Sequence, residues 1–201
     1  KKYSVNWFSS KNFDKHLGEY IGVQNINFLE IGGFEGMGTN YFVDRFLTGE
    51  NSKIIVIDPW IKYSESTVTK MRLTTANGVE VDDLINEDTY DIFVRNTKKN
   101  KSKIIIKKGF SKDIIPLLDE YFHFIYVDGD HSEDAVWLDA IMGFDRLLPG
   151  GVMVFDDYRW QSGKRSPKRA IDRFLREYEK EIDVLDINRQ VVIRRVGGQH
   201  G

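Results

Sequence analysis

Two stretches of the 201-residue chain gather acids at the ends of apolar runs. FIYVDGDHSEDAV (124–136) delivers Asp128, Asp130 and His131, and GVMVFDDY (151–158) delivers Asp156 and Asp157. Carboxylates crowded away from water repel one another and raise one another's pKa unless a cation sits among them. Adjacent strands lie about 4.8 Å apart, so Asp128, Asp156 and Asp157 at neighbouring strand ends can share one hard divalent cation, with water or substrate oxygens completing its shell. His131, three residues past Asp128, has an ordinary pKa of about 6.5 and suits a general base acting on a hydroxyl that a metal has acidified. Asp130 is assigned to the turn. The competing structural reading makes Asp128 a helix cap and pairs Asp156 and Asp157 with the basic loop that follows them.

A third stretch, FLEIGGFEGMGTNYF (28–42), places an acid and a run of glycines between a strand and a helix. Glycines at that point let the backbone turn sharply and approach a ligand, and the helix start offers free N–H groups to an anion. The spacing Glu30-x-Gly32-x-x-x-Gly36 is neither G-x-G-x-x-G nor the phosphate-loop pattern, which disfavours a dinucleotide or a triphosphate. Glu30 at the strand end suits a ligand carrying an ammonium group, and S-adenosylmethionine has one together with a sulfonium. Asp58, closing IIVIDPW, can accept hydrogen bonds from both ribose hydroxyls. In GFS (109–111), Phe110 offers a packing surface and Ser111 a hydrogen-bonding group to an adenine, with a plain helix cap as the alternative.

Positioning these residues requires strands that all end on one edge. Short β-branched runs at 25–31, 53–58, 103–108, 122–128 and 151–156 alternate with amphipathic stretches, the pattern of βα units around a parallel sheet. Helices are predicted over 36–48, 111–121, 132–148 with Ser132 as cap, and 167–179 with Pro167 near its first turn. In LLPGG, Pro149 and the glycine pair should stop the third of these and hand the chain to the fifth strand. The runs 182–187 and 190–196 flank a tight turn and predict an antiparallel hairpin. The fold class is therefore α/β: a Rossmann-like, doubly wound sheet of seven strands, mostly parallel, closed by a C-terminal antiparallel hairpin. We read one domain over 1–201. A cap or insertion is expected at about 61–100, part of which has helical spacing at Leu84, Ile85, Tyr90, Ile92, Phe93 and Val94. GGQHG at the C-terminus is read as frayed.

Bulk properties narrow the classes. The chain is 41% hydrophobic and 30% charged, enough for one sizeable core, and its longest apolar runs fall far short of a membrane span. With no cysteine, disulfides and cysteine-ligated zinc are excluded. Cytoplasm is the default location, no membrane partner is expected, and a homodimer is left open. Net charge is −2, yet 95–108 and 159–176 carry seven Lys or Arg each, against a single acid, Asp172, in the second. Those segments are either solvated surface or a lure for an acidic, phosphate-bearing substrate.

Over roughly 26–196 the chain resembles the class I S-adenosylmethionine-dependent methyltransferases. Within them it is most similar to the small metal-dependent O-methyltransferases of the caffeoyl-CoA, catechol and macrocin kind (methyltransferase domain 24 type). The shared motifs are LEIGGFEG (29–36), VIDPW (56–60), KGFSKDIIPLL (108–118), YVDGDHSEDAV (126–136) and LLPGGVMVFDDY (147–158). The resemblance implies that Glu30, Gly32 and Gly36, with Gly33, Phe34 and Thr39 beside them, line the methionine moiety. It places the ribose by Asp58 and Pro59, and the adenine by Gly109, Phe110 and Ser111. Asp128, counted among the cofactor-binding residues as well, would join Asp156 and Asp157 on a divalent cation, usually Mg2+. Two departures stand out: the plant and catechol enzymes have Asn in place of Asp157 and a lysine base near His131. Where those relatives bind the cofactor carboxylate with Ser, this chain has Gly38, with Thr39 adjacent.

The expected activity is methyl transfer from S-adenosylmethionine to a hydroxyl of a small molecule or sugar-bearing metabolite, with Asp128 and His131 as the catalytic pair. One alternative is an RNA or cap-nucleotide methyltransferase that uses the two basic segments. Another is a non-catalytic cofactor-binding module of the same fold.

Overall fold

In a computed structural model, residues 3, 4, 6, 8–61, 88–161 and 166–197 are described. Strands β1 (Asn27–Ile31), β2 (Lys53–Asp58), β3 (Ile104–Lys108), β4 (Phe122–Val127), β5 (Leu147–Phe155), β6 (Ile182–Ile187) and β7 (Val191–Arg195) form one sheet in the order β3-β2-β1-β4-β5-β7-β6. β1 to β5 pair in parallel, whereas β7 runs antiparallel to both β5 and β6. The expected α/β class, Rossmann-like winding, strand number and terminal hairpin are all present. The hairpin inserts its second strand against β5 and leaves β6 at the edge.

Side chains on a strand alternate between faces, and here each central strand divides its apolar residues between two cores. Leu29, Ile55, Ile125, Met153 and Ile193 face one core with Val136, Phe144 and Phe174. Phe28, Ile54, Val56, Phe124, Tyr126 and Val154 face the other with Phe13, Phe42 and Phe93. The second face is covered by α1 (Lys11–His16), α2 (Met37–Arg45) and α3 (Asp88–Thr97). The first is covered by α5 (Glu133–Arg146) and α6 (Pro167–Glu177), with the short α4 (Ser111–Ile114) beside them. Burial on both faces explains why the strands read as unbroken β-branched runs rather than alternating ones. Among the described residues no helix is long and apolar enough to cross a membrane.

Several boundaries differ from the sequence reading for identifiable reasons. α4 stops at Ile114 and gives way to a 3-10 turn over Ile115–Leu117, because Pro116 has no N–H to donate to the helix. β5 begins at Leu147 rather than 151: Leu147 already pairs with Phe122, the register then slips, and pairing resumes at Phe124 with Val152. Ser132 sits at the N-cap of α5 but makes no side-chain cap bond; its N–H instead donates to Asp130 Oδ1 at 2.6 Å, so Asp130 does hold the turn. In α3, Phe93 is fully buried while Val94 is exposed, so the buried stripe is narrower than the spacing suggested. Leu84, Ile85 and most of the proposed cap lie outside the described residues, as do 162–165 of the basic loop and 198–201.

Candidate active site

All the singled-out acids except Asp130 lie at the carboxyl edge of β1, β2, β4 and β5, where open α/β sheets bind ligands. The strand order reverses between β1 and β4, and there the two departing loops are in near contact. A Cβ on Gly32 would stand 2.0 Å from the Asp128 carbonyl oxygen, and its φ of +96° is itself a glycine conformation.

On the β1 and β2 side the acids are held by donors from the chain. Glu30, at 2% exposure, accepts a short hydrogen bond from the Thr39 hydroxyl of α2. Burial pushes its carboxyl up to about 8, with the nearby Asp58 charge adding to the rise and the Thr39 bond opposing it. α2 approaches so closely that a Cβ on Gly38 would lie 2.6 Å from Glu30 Oε1. Asp58 Oδ2 accepts the backbone N–H groups of Gly33 and Phe34 at 2.9 and 3.0 Å, and Oδ1 accepts that of Trp60 at 2.6 Å. Burial raises the Asp58 carboxyl and these three N–H groups counter the rise. Asp58 is thus the brace of the glycine turn, and Trp60 locks the same turn by donating its indole N–H to the Phe34 carbonyl at 2.8 Å. Phe34 and Trp60 both have positive φ, backbone conformations that persist only where the surroundings enforce them.

On the β4 and β5 side acids face acids. The Tyr126 hydroxyl reaches Asp128 Oδ2 at 3.0 Å and makes a shorter bond to Asp156 Oδ2. Asp156 Oδ2 also accepts the Gln190 amide at 2.9 Å, and its Oδ1 accepts the Asp157 N–H at 2.7 Å. Burial, then the charges of Asp156 and Asp157, hold the Asp128 carboxyl well above the usual carboxylate range. Burial likewise raises Asp156. Asp157, with φ of +53°, turns back toward β4, and its Oδ2 lies 2.8 Å from His131 Nε2. The His131 ring in turn lies against Trp160, centroids 4.6 Å apart.

Donor atoms of Asp128, His131 and Asp157 lie within 4.8 Å of one another, while Asp156, predicted as the third ligand, is engaged by Tyr126, Gln190 and the Asp157 N–H. Gly109 extends the β2 ladder by donating its N–H to Asp58 O, Pro59 follows Asp58, and Phe110 stands 44% exposed. Ser111 hydrogen-bonds the Asp139 side chain of α5, and burial pushes that carboxyl up to about 7.

Asp139, Glu35, Trp60, Tyr126 and Gln190 were not assigned roles from the sequence. Asp139 had a legible signal, since it sits in the apolar i, i+3, i+4 stripe of α5 with Val136 and Ala140. Glu35 had none: it is buried because the distant Ser4 donates both its N–H, at 2.7 Å, and its hydroxyl to it.

Comparison with known proteins places this geometry. Residues 29–158 match the methyltransferase domain family Methyltransf_24. No curated protein sequence matches the chain. Among solved structures, a candidate rRNA methylase from Clostridium thermocellum superposes with a TM-score of 0.66 at 10% identity, over 96% of this chain and 100% of that one. The O-methyltransferase NovP gives 0.66 at 14% identity, over 92% and 78%. The MycE methyltransferase of mycinamycin biosynthesis, solved with Mg, SAH and mycinamycin VI, gives 0.61 at 15% identity, over 100% and 52%. The chain belongs to the Methyltransf_24 methyltransferase domain family, and by family and fold it is an enzyme of the class I S-adenosylmethionine-dependent methyltransferases.

Proposed function

We propose that this enzyme methylates a hydroxyl oxygen of a small molecule or sugar-bearing metabolite, assisted by a divalent cation at the β4 and β5 ends. The observation that carries the reading is the convergence of Asp128, His131 and Asp157 within 4.8 Å, with Asp128 buried among like charges. Carboxylate oxygens fit a hard divalent ion, Mg2+ or Mn2+, and positive charge there offsets the burial and the neighbouring charges that raise Asp128. Asp128 and Asp157 would hold the ion; when bound, it supplies a lowered pKa for the acceptor hydroxyl. MycE, which was solved with Mg and SAH together, supports such a pairing in this fold.

The chain's own groups then have distinct tasks. Glu30 lies at the β1 end to receive the ammonium of the methyl donor, and a cation there favours its ionised form. The Gly32 to Gly36 turn, braced by Asp58 and Trp60, admits the donor's methionine end against backbone. Asp58 keeps its second role, toward the ribose, through lone pairs its three N–H partners leave free. With the proton on Nε2, His131 donates to Asp157 and keeps its lone pair on Nδ1, which takes the acceptor's proton as the oxygen bonds to the methyl carbon and sulfur leaves. Holding the reacting atoms in line, away from water, supplies much of the rate.

The superposition on a candidate rRNA methylase favours a second reading, RNA as acceptor. Several charges of the 95–108 segment already serve the fold: Lys99 pairs with Asp44, Lys103 donates to the Leu47 and Gly49 carbonyls, and Lys108 lies over Tyr90. RNA binding that weakens steeply with salt would favour this reading over the first. The deciding experiment is methyl transfer from S-adenosylmethionine to a panel of hydroxylated small molecules and to RNA, with and without chelator. The proposal expects chelator-sensitive turnover of a small-molecule hydroxyl; transfer to RNA alone, or turnover indifferent to chelator, refutes it.

A further inference from the structure

The turn between β1 and α2 is held by more than Asp58 and Trp60. It is rich in glycine, and Phe34 and Gly36 have positive φ, +42° and +81°, so its peptide planes can rotate unless something outside the turn fixes them. Two buried asparagines do so. Asn96 of α3, 4% exposed, donates its amide N–H to the Glu35 carbonyl at 3.1 Å. The other side of the same peptide is also taken, because the Gly36 N–H donates to the Gly33 carbonyl at 2.8 Å. Asn40 of α2, 2% exposed, holds the next peptide: its backbone N–H and its side-chain amide both reach the Gly36 carbonyl, at 3.1 and 2.9 Å. Between them, the two amide hydrogens of Asn40 serve that carbonyl, the Asn96 carbonyl at 3.2 Å and the Tyr3 hydroxyl oxygen at 3.1 Å. Asn40 Oδ1 in turn accepts the Asn100 amide at 2.9 Å, which aims the side chain. α3 can come this close because the turn lacks side chains. A Cβ on Gly36 would stand 2.6 Å from Thr97 Cγ2, and one on Gly33 would stand 3.2 Å from Phe93 Cε2.

We infer that Asn96 and Asn40 are positioning residues for the methyl donor, fixing the Glu35–Gly36 and Gly36–Met37 peptides so that the turn meets the donor's methionine end in one conformation. The physical basis is preorganisation. An anion at the start of α2 is met by N–H groups that have no partner within the helix, and those groups stand in fixed places only if the peptides before them do. A turn left to rotate must be ordered at the moment of binding, and that ordering is subtracted from the affinity. Asn96 and Asn40 do the ordering in advance, from α3 and α2. The adenosine end of the donor is expected beside Asp58 and Ser111, on other loops, so the two ends of the donor can be tested separately. The inference rests on the placement of the methionine end at this turn, and it is independent of any cation at the β4 and β5 ends.

The test uses two ligands, S-adenosylhomocysteine and 5′-methylthioadenosine, which keeps the adenosine and the sulfur and lacks the amino-acid end. Both are titrated calorimetrically into the wild type, Asn96→Ala and Asn40→Ala. The wild type should bind S-adenosylhomocysteine the more tightly. In each variant that affinity should fall by about tenfold or more, the scale of one hydrogen bond to a charged group, while 5′-methylthioadenosine affinity stays within about twofold. Wild-type S-adenosylhomocysteine affinity in either variant overturns the inference, as does equal loss of both ligands, which marks general loosening of the fold. Where a buried alanine prevents folding, Asn100→Ala removes the donor that aims Asn40 from a half-buried position. It should weaken S-adenosylhomocysteine alone, by about threefold, and no change there overturns the inference too. A wild type that binds the two ligands equally removes the methionine placement itself, and the inference with it; a wild type that discriminates between them while the variants do so equally well leaves the placement standing and removes only the asparagines' role.

Discussion

The two halves of the carboxyl edge handle buried negative charge in opposite ways. At β1 and β2, Glu30 and Asp58 are supplied with donors by the chain, a threonine hydroxyl for one and three backbone N–H groups for the other. At β4 and β5 acids lie against acids, and Asp128 is raised by burial and then by the charges of Asp156 and Asp157. The first half is a finished socket whose shape is fixed by backbone. On the proposed reading, the second is completed by positive charge. Under the proposed function, a site so divided would bind its methyl donor to a preformed surface and reserve its electrostatic strain for the acceptor and a cation, where charge develops during the reaction.

Substitutions that act on one half alone test this division. The largest effect is expected from Asp128→Asn, which removes the carboxylate proposed to hold the ion. Turnover should fall by about 10^2-fold or more, the scale associated with losing a metal-assisted proton transfer, while Tm holds or rises because a buried repulsion is gone. Turnover assays beside thermal melts check this, and a variant that loses stability and keeps activity would reverse the picture. Next is Gly32→Ala, at the joint between the halves. The new Cβ would meet the Asp128 carbonyl at 2.0 Å in a left-handed backbone, so chemical denaturation should show a loss of roughly 3 kcal/mol or more, or no folded protein.

A smaller and purely donor-side effect is expected from pH. The Glu30 carboxyl sits at about 8, so below that value it must release a proton to meet the donor's ammonium. S-adenosylhomocysteine affinity should therefore tighten by about tenfold between pH 6.5 and 8.5, with proton release visible as a buffer-dependent binding enthalpy, and Glu30→Gln should flatten the profile. A flat wild-type profile argues against Glu30 as the ammonium partner. The smallest effect concerns Asp139, which belongs to neither cluster. Its folded value of about 7 lies above the ordinary 3.8, so the folded state binds the proton more tightly than the unfolded chain. Its contribution is thus full below about pH 4 and is lost as pH climbs toward 7. Asp139→Asn should lessen the fall in Tm between pH 5.5 and 7.5 by a few degrees; unchanged pH dependence contradicts the buried, protonated Asp139.

The two halves also differ in how far they could be read from sequence. Strand ends, glycine turn and acids were legible because β-branched runs, glycines and isolated acids carry local signals, and the parallel winding follows from their alternation with helices. Partnership was not legible. Nothing local says that Asp156 belongs to Gln190, 34 residues away, or that Asp58 braces Gly33 and Phe34 across the strand ends. The closeness of Asp157 to His131 was not legible either: Asp157 has a positive φ, and its carboxylate lies against the histidine ring. Tyr126 shares a core face with Phe124, and the meaning of its hydroxyl emerges only with both acids in place.

The central claim, that the acid-rich half is built for a divalent cation, is tested most directly by Mn2+ titration monitored by electron paramagnetic resonance in the presence of S-adenosylhomocysteine. One saturable ion per chain is expected in the wild type, lost in Asp128→Asn and in Asp157→Asn. Absence of a saturable ion, or an ion bound equally well by both variants, would contradict it.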